Sequence, residues 1–300
     1  MVSEQVSAEN TRRQSLWDSL IAAGGPNGSA PSLLRELGIY GGAQGIWVNK
    51  RITGSISPDG TGIAVGLLHT GSAYDDDLFE DGVIYHFPVT KRLGRRDASE
   101  TAALRNLFEL RLPVFVITPT SDGTRRDVHL GWVVDIDDTA MQCLIEFDDH
   151  WRAPASVSAT SEFRLEANRE ERAQIEQRLK RSPRFAFEVG KRCGWRCAVC
   201  AVTLKPLLDA AHIRGVADRG SDDPRNGLIL CKNHHAAFDV GFLNFHPETG
   251  TVVVHANITT DELGVTVFVL DHGLRPHIDA LRWRWESLSR PQVRVTNVRF

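Results

Sequence analysis

The sequence lacks any hydrophobic run long enough to cross a membrane. Every apolar stretch in its 300 residues is interrupted by a charge, a glycine or a proline well before the ~18 residues that a transmembrane helix requires. The first 30 residues also lack the apolar core of a secretory signal, and they carry an early acid, Glu4. With 24% charged and 42% hydrophobic residues, the composition excludes wholesale disorder. We therefore expect a globular, cytoplasmic protein with no membrane partner.

Cysteine is also scarce, and most of it is in one place. The chain has five cysteines, an odd number, and four of them lie within residues 193–231. A disulfide scaffold would distribute pairs along the chain, whereas a tight cluster in a cytoplasmic protein is typical of metal ligation. The cysteines therefore indicate a metal site.

Net charge is small, which by itself suggests no polyanionic partner. The chain has 35 basic and 38 acidic residues, for a formal charge of −3. Residues 178–214, however, contain nine basic side chains and only two acidic ones. A local basic field of that size can attract a polyphosphate whatever the total charge. The alternative interpretation is a solvated helix face.

Hydrophobic patterning divides the chain into segments of different character. Residues 8–24 read as an amphipathic helix that ends at Gly24-Gly25-Pro26, and residues 100–110 as a helix capped by Asp97 or Ser99. Within residues 37–147, short apolar runs alternate with Gly- and Asp-containing turns, a pattern typical of an antiparallel sheet or barrel. These runs are GIWVNKRI, GIAVGLLH, GVIYHF, PVFVIT, HLGWVVDI and MQCLIEF.

The second half of the chain predicts a smaller, mixed region. Residues 160–182 form a charged helical pattern that Pro183 ends, which suggests a linker. Residues 251–300 offer two strand-like runs, TVVVHANI and VTVFVL, and a helix near 277–288. The predicted organisation is an N-terminal helix or tail (1–30), a β-rich domain (31–158), a helical linker (159–183) and a C-terminal domain with an extension (184–300).

Two pairs of potential ligands have the spacing of zinc knuckles. Cys197 and Cys200 are separated by two residues, and so are Cys231 and His234. Two such pairs complete a closed tetrahedral site, so we expect a structural zinc. Cys193 is spare and could replace one ligand. The alternative is that the reduced cysteines simply fill a core.

The residues between and around these pairs form a recognisable motif, LLDAAHIRGVADRGSDDPRNGLILCKNHHAAFDVGFL. Over residues 184–246 the chain resembles the HNH nuclease family, whose ββα-metal unit carries a His on its first strand, an Asn before the second and a His on the helix. The resemblance implies that His212 is the general base and that His235 binds a catalytic metal. It implies that Asn226 orients the base or contributes to the metal site. His234 then belongs to the zinc.

The chemistry of phosphodiester hydrolysis needs these residue types. A neutral imidazole can take the proton of water near neutral pH, and a divalent cation, Mg²⁺ or Mn²⁺, can stabilise charge on the phosphate. Many HNH proteins have an acidic ligand directly before the base, where this chain has Ala211. Two carboxylates could substitute: Asp209, on the same strand face as residue 211, and Asp239, one helical turn beyond His235. Alternatively, neither carboxylate is a ligand.

The N-terminal domain resembles the SRA domain, a base-flipping reader of 5-modified cytosine, over residues 38–118. The landmarks are GIYGGAQGIWVNKRITG, GTGIAVGLLHTGSAYDDD, DGVIYHF and DASETAALRNLFELRLPVFVI, in this order. The fold class implied for the chain is α+β, with a β-rich SRA/PUA-like barrel domain followed by a small zinc-stabilised ββα-metal domain.

The SRA resemblance also implies a pocket for an extruded base. Tyr74 and Tyr85 would stack on the base and Asp77 would accept a hydrogen bond from its exocyclic amine. The chain departs from the family at His86, where a Thr is usual, and in replacing the following glycine-rich stretch with Pro88-Val89-Thr90. A basic loop would contact the DNA backbone through Lys91, Arg92, Arg95 and Arg96. The alternative is that the tyrosines are core aromatics and that residues 75–77 form a solvated turn.

Together these features predict a modification-dependent, type IV-like restriction endonuclease that flips and reads 5-methylcytosine or 5-hydroxymethylcytosine in double-stranded DNA. Because one HNH centre cuts one strand, we expect a homodimer. Two alternatives stay open. One is an HNH nickase or homing-type endonuclease whose first domain reads unmodified sequence. The other is a non-catalytic module that binds modified DNA.

Overall fold

The structure, a computed structural model, describes residues 2–41, 45–69, 77–88, 96–148, 151, 162–167 and 182–289. The chain divides into two compact units, Met1–Ser158 (unit 1) and Ala159–Phe300 (unit 2). The domain boundaries at residues 31, 159 and 184 stay predictions. Among the described residues, no helix combines the length and apolarity that crossing a bilayer needs. Mixed helix and sheet in both units agree with the predicted α+β class.

The described residues of unit 1 form one seven-stranded sheet and four α-helices. The elements in chain order are α1 (Val2–Ala22), α2 (Pro31–Glu36), β1 (Gly45–Val48), α3 (Lys50–Thr53), β2 (Ala64–Leu68), β3 (Leu78–Phe79), β4 (Gly82–His86), α4 (Arg96–Leu110), β5 (Val114–Pro119), β6 (Arg126–Asp137) and β7 (Gln142–Phe147). All six predicted runs contain a strand, although the end of the first run forms α3. Helix α4 begins at Arg96, so Asp97 and Ser99 lie inside its first turn and the predicted cap is wrong.

The strand order is β1-β2-β5-β6-β7-β4-β3, a curled, half-barrel sheet. Neighbouring strands are antiparallel except β2 and β5, which run parallel with Gly66 opposite Phe115. The expectation of an entirely antiparallel sheet is therefore wrong at this pair. The chain between β2 and β5 contains the β3–β4 hairpin and α4, and such a long crossover lets the second strand return in the same direction.

Both faces of β5, an interior strand of this sheet, are buried. Val114 and Val116 of β5 face the cluster that contains Leu104 of α4. Phe115 between them faces a second cluster, which contains Leu20 of α1. Helix α1 is thus part of the core of unit 1 and begins at residue 2, earlier than the predicted residue 8.

A buried ion pair accompanies the docking of α1. Arg13 is fully buried, and its Nε donates to Glu9 Oε1 over 2.8 Å. Its Nη1 donates to the carbonyl of Ala64, at the start of β2, and to that of Pro113, just before β5. Burial lowers the pKa of Arg13 to about 10, and Glu9 opposes that shift. The pair fixes the helix to the middle of the sheet.

The described part of unit 2 contains two small antiparallel strand pairs and four α-helices, besides short 3-10 turns. Its elements are α5 (Pro183–Cys193), β8 (Leu208–His212), β9 (Gly227–Cys231), α6 (Lys232–Asp239), β10 (Leu243–Phe245), β11 (Val252–Val254), α7 (Thr260–Leu263) and α8 (Ile278–Ser289). Strands β8 and β9 are antiparallel, with His212 opposite Gly227, and α6 follows β9 directly. This succession is the predicted ββα unit.

Two predicted elements of this region differ from the structure. Residues 162–167 are not helical: Glu166 forms a bridge with Gly220, and Phe163 and Leu165 pack against the core of unit 2. The remainder of the predicted linker helix, residues 160, 161 and 168–181, lies outside the described residues. Of the predicted strand at 265–270, only an isolated bridge between Thr251 and Val269 forms. The C-terminal helix is confirmed as α8.

Candidate active site and metal-binding cluster

Helix α6 places two neighbouring histidines against different groups. Cys231 ends β9 and occupies the N-cap of α6, so His234 and His235 both lie in the first turns of this helix. Successive side chains on a helix diverge by about 100°. His234 is buried and turns toward the cysteines, while His235 turns toward β8.

The four predicted knuckle ligands form one cluster. The ligand atoms of Cys197, Cys200, Cys231 and His234 all lie within 4.8 Å of one another. His234 Nδ1 is 3.0 Å from Cys231 Sγ and 3.5 Å from Cys197 Sγ. Cys193 lies outside this group: its Sγ is 3.9 Å from the carbonyl oxygen of Leu274. The cluster could hold a metal ion, as the spacing predicted.

The donor set fits a soft divalent cation. Burial and the adjacent sulfurs of Cys197 and Cys231 raise the pKa of the Cys200 thiol to about 12. Three thiolates cannot share so small a volume unless a cation compensates their charge, and three sulfurs with one imidazole nitrogen are ligands that zinc accepts in a tetrahedral site.

A second group surrounds His235. Its Nδ1 lies 3.0 Å from Asp209 Oδ2 and its Nε2 lies 3.6 Å from Asp239 Oδ2. Lys232 Nζ is 3.8 Å from the other oxygen of Asp209. Both carboxylates that the sequence offered as catalytic metal ligands therefore contact His235. They do so at opposite nitrogens of the ring, and Asp209 is much less exposed than Asp239.

His212, at the end of β8, is held by two contacts. Its Nε2 lies 3.0 Å from Asp222 Oδ1. One face of its ring stacks on Phe185 of α5, with a centroid distance of 3.6 Å and an interplanar angle of 7°. Neither partner was predicted from the sequence. Asp222 stands in the SDDP run just before Asn226, and this position was the only sequence signal for it.

Asn226 fastens the loop that follows β8. It is fully buried, and its Oδ1 accepts from the backbone N–H of Arg214 over 3.0 Å. Its Nδ2 donates to the carbonyls of Arg214 and Ser221 over 3.0 and 2.9 Å. These side-chain contacts with the backbone of Arg214 and Ser221 hold the loop, and the two predicted roles of Asn226, orienting the base or contributing to the metal site, stay predictions.

The basic segment is partly engaged inside unit 2. Arg192 donates to backbone carbonyls that include those of Pro224 and Gly227. Arg214 pairs with Glu166 over 2.9 Å, and its guanidinium lies over the ring of Trp283. These two arginines stabilise the fold, so the basic field available to a polyphosphate is smaller than residues 178–214 suggested.

The predicted reader residues in unit 1 divide between two faces of β4. Tyr85 points into the apolar cluster beside α4 and is 8% exposed. Burial raises its pKa. His86 points the other way, and its Nε2 lies 2.6 Å from Oδ2 of the buried Asp77. Arg96 is the first residue of α4. Tyr74, Lys91, Arg92 and Arg95 lie outside the described residues.

Comparison with known proteins agrees with the ββα geometry. Residues 197–246 match the family model HNH_2, described as HNH endonuclease. No functionally curated protein matches the chain. Among solved structures, one described as the modification-dependent TagI restriction endonuclease is 23% identical, covers 90% of this chain and 93% of its own, and has a TM-score of 0.33.

Two further structures are similar. The SUVH5 SRA domain bound to fully hydroxymethylated CG DNA is 19% identical and covers 42% of this chain and 89% of its own, with a TM-score of 0.29. The type IV phosphorothioation-dependent restriction endonuclease ScoMcrA is 15% identical and covers 87% of this chain and 58% of its own, with a TM-score of 0.31. The predicted resemblance to HNH endonucleases is confirmed for the segment that holds His212, Asn226 and His235, and the chain carries an HNH-type nuclease unit.

Proposed function

We propose that this protein is a modification-dependent restriction endonuclease. Unit 2 hydrolyses phosphodiester bonds in double-stranded DNA, and unit 1 makes cleavage depend on a modified cytosine. The observation that carries the nuclease half is the ββα segment, in which a strand ending in His212 lies beside a helix whose His235 contacts Asp209. The reader half rests on the order of landmarks along unit 1.

Within unit 2, His212 takes a proton from the attacking water. Its position at the end of β8 leaves it partly accessible, and Phe185 and Asp222 limit its motion. Mg²⁺ or Mn²⁺ held by His235 with one of the two carboxylates would neutralise charge on the phosphate and its leaving oxygen. Because one ion can use only one nitrogen of a ring, the other carboxylate orients His235 from the opposite side.

The cysteine–histidine cluster has a structural role in this proposal. Zinc bound by Cys197, Cys200, Cys231 and His234 would tie the turn after α5 to the start of α6. That connection holds the helix that carries His235 against β8 and β9. A closed four-ligand site leaves no position for a water molecule, so this ion takes no part in hydrolysis.

Unit 1 flips a cytosine out of the duplex and reads it. Asp77 accepts from the exocyclic amine, and Tyr74 stacks on the base. Tyr85 packs in the apolar cluster on the other face of β4 and supports the strand that carries His86. His86 lies beside the base edge through its contact with Asp77 and selects among 5-substituents, such as methyl and hydroxymethyl. Lys91, Arg92, Arg95 and Arg96 contact phosphates and add affinity that does not depend on the modification.

The test uses two preparations of one plasmid, with and without 5-methylcytosine, incubated with the protein and Mg²⁺ or Mn²⁺. A third preparation carries 5-hydroxymethylcytosine. We expect cleavage of a modified plasmid only. Equal cleavage of modified and plain plasmid would indicate that unit 1 reads unmodified sequence, as in a homing or nicking enzyme. Binding of modified DNA without cleavage under any divalent ion would make the protein a non-catalytic module.

A further inference from the structure

We propose that Asp222 is a positioning residue that sets the tautomer and the orientation of His212. The proposal rests on the nuclease function proposed for unit 2. The carboxylate Oδ1 of Asp222 lies 3.0 Å from His212 Nε2, within hydrogen-bonding distance. A carboxylate can only accept, so Nε2 carries the proton in the neutral imidazole. The lone pair of His212 is then on Nδ1, which is the atom that receives the proton of water.

The ring of His212 is also fixed in its plane. Phe185 stacks on one face at 3.6 Å, and the opposite strand carries Gly227 at the position paired with His212. A Cβ at Gly227 would come within 2.6 Å of the Phe185 ring, so only glycine leaves room for this stack. Stacking prevents tilt, but it does not select a ring nitrogen. That selection requires a polar partner, which Asp222 supplies.

The loop that carries Asp222 is built to hold one conformation. Asn226 binds the backbone of Arg214 and Ser221 at the two ends of this loop. The Ser221 hydroxyl donates to the carbonyl of Arg164. At Gly220 an added Cβ would lie 1.8 Å from the Arg214 carbonyl oxygen, so the two backbones approach too closely for any other residue. Ser221, directly before Asp222, is therefore held by hydrogen bonds of both its hydroxyl and its backbone carbonyl.

The other two carboxylates on this loop, those of Asp218 and Asp223, do not contact His212 in the hydrogen bonds and ion pairs that the structure gives. Asp223 caps the turn Pro224–Asn226 and forms an ion pair with Arg225 over 2.6 Å. Asp218 is exposed in the same loop, and its backbone carbonyl accepts from Arg214. Asp222 thus makes the ion pair with His212, and Asp218 provides a matched acidic control that lies on the same loop.

Cleavage kinetics on the modified plasmid test the functional effect. We expect Asp222→Ala to lower kcat about 10²-fold while the Kd for modified duplex changes less than 2-fold, because the carboxylate acts through the base. Asp222→Glu should recover part of the rate, and Asp218→Asn should cleave at the wild-type rate. Wild-type kcat in Asp222→Ala, or an equal loss in Asp218→Asn, would overturn the proposal.

A spectroscopic measurement separates this proposal from the nuclease function. Long-range ¹H–¹⁵N spectra of the full chain, with His212→Gln to assign the signal, report which ring nitrogen is protonated. We expect the Nε2–H tautomer in the wild type and a mixture in Asp222→Ala at an unchanged Tm. An Nδ1–H tautomer in the wild type would contradict the role of Asp222 even in an active nuclease. Absence of cleavage with the Nε2–H tautomer present would instead count against the proposed function alone.

Discussion

At the scale of single residues, the three histidines of the nuclease unit differ in which ring nitrogen contacts a neighbouring side chain. His234 presents Nδ1 to two cysteine sulfurs, His235 presents one nitrogen to each of two carboxylates, and His212 presents Nε2 to Asp222. In the proposed function, these three histidines serve three different chemistries, which are metal ligation in the cysteine cluster, ligation of a catalytic metal and proton transfer.

The general-base role of His212 predicts a loss of rate without a loss of affinity. His212→Ala should reduce cleavage of modified plasmid at least ~10²-fold, the usual scale for one general base. Binding to modified duplex should change little, since a single neutral imidazole contributes little to affinity. The exposed His255 in the same unit serves as the control, and His255→Ala should cleave normally. If the His212 variant cleaved at the wild-type rate, His212 would not be the general base.

The reader pocket predicts a loss that depends on the modification. Asp77→Ala should weaken binding to modified duplex by ~1–3 kcal/mol, because the flipped base is left with an unpaired donor. Arg95→Ala should weaken modified and plain duplex alike and reduce the salt dependence of binding. Fluorescence anisotropy with the two duplexes measures both effects. Equal losses on both duplexes for the Asp77 variant would exclude the pocket.

At the scale of elements, β9 and α6 are joined at a residue of the cysteine–histidine cluster. Cys231 is at once the last residue of the strand and the N-cap of the helix. A metal held by the cluster would therefore fix where α6 starts, and with it the position of His235.

Loss of this ligand should unfold unit 2. Cys231→Ser should give protein that lacks zinc and is degraded rapidly within unit 2 by protease, because ligand loss removes on the order of several kcal/mol of folding free energy. Cys193→Ser removes a buried thiol outside the cluster and should retain about one zinc per chain. Elemental analysis of purified protein measures the metal. Folded wild-type protein without zinc would contradict the structural role.

The buried ion pair between α1 residues Glu9 and Arg13 predicts that removing the charge of Glu9 strongly lowers the stability of unit 1. Glu9→Gln leaves the guanidinium of Arg13 buried without its carboxylate, which should destabilise unit 1 by ~3–5 kcal/mol. Arg12→Gln removes the partly exposed partner of the same carboxylate and should cost ~1 kcal/mol or less. Urea unfolding followed by tryptophan fluorescence compares the two, since Trp17 of α1 stacks on Phe115 of β5. A small loss in the Glu9 variant would show that burial of apolar surface alone docks the helix.

The positions of most strands and of the motif residues could be predicted from the sequence, but which strands pair and in which direction could not. Val- and Ile-rich runs such as 114–117 read as strands because both of their faces meet apolar neighbours. The parallel pairing of β2 with β5 left no local signal, since register depends on partners far along the chain. The predicted start of α4 was late because the helix incorporates Asp97 in its first turn.

The same distinction applies to the site. The four cluster ligands were identifiable because the knuckle spacing places them, and His212 and His235 because the motif around them resembles that of HNH nucleases. Asp222 and Phe185 were not, because a hydrogen bond to Nε2 and a ring stack exist only once the loop and α5 have packed.

At the scale of the whole molecule, one nuclease unit per chain limits what a single copy can cut. A single ββα centre hydrolyses one strand, so a double-strand break needs two copies. Within the described part of unit 2, the extension also exposes three consecutive apolar side chains, those of Val267, Phe268 and Val269.

We therefore predict a homodimer, formed in solution or when two copies meet on DNA, with the extension at residues 251–300 contributing. Light scattering of the protein alone and with a modified oligonucleotide distinguishes these two cases. Phe268→Glu should weaken association and convert linear plasmid product to nicked product. A strictly monomeric protein that only nicks modified plasmid would contradict the dimer and indicate a nickase.

The strand order of unit 1 has a consequence for biosynthesis. Strand β7 lies between β6 and β4, with Gln142 opposite His86, so the sheet cannot close until the last of its strands has been translated. A truncated product that ends before β7 loses an interior strand and leaves long unpaired edges, which favour aggregation. Strand β8 of the nuclease unit is translated only after β7. A growing chain therefore contains every strand of unit 1 before it contains the nuclease.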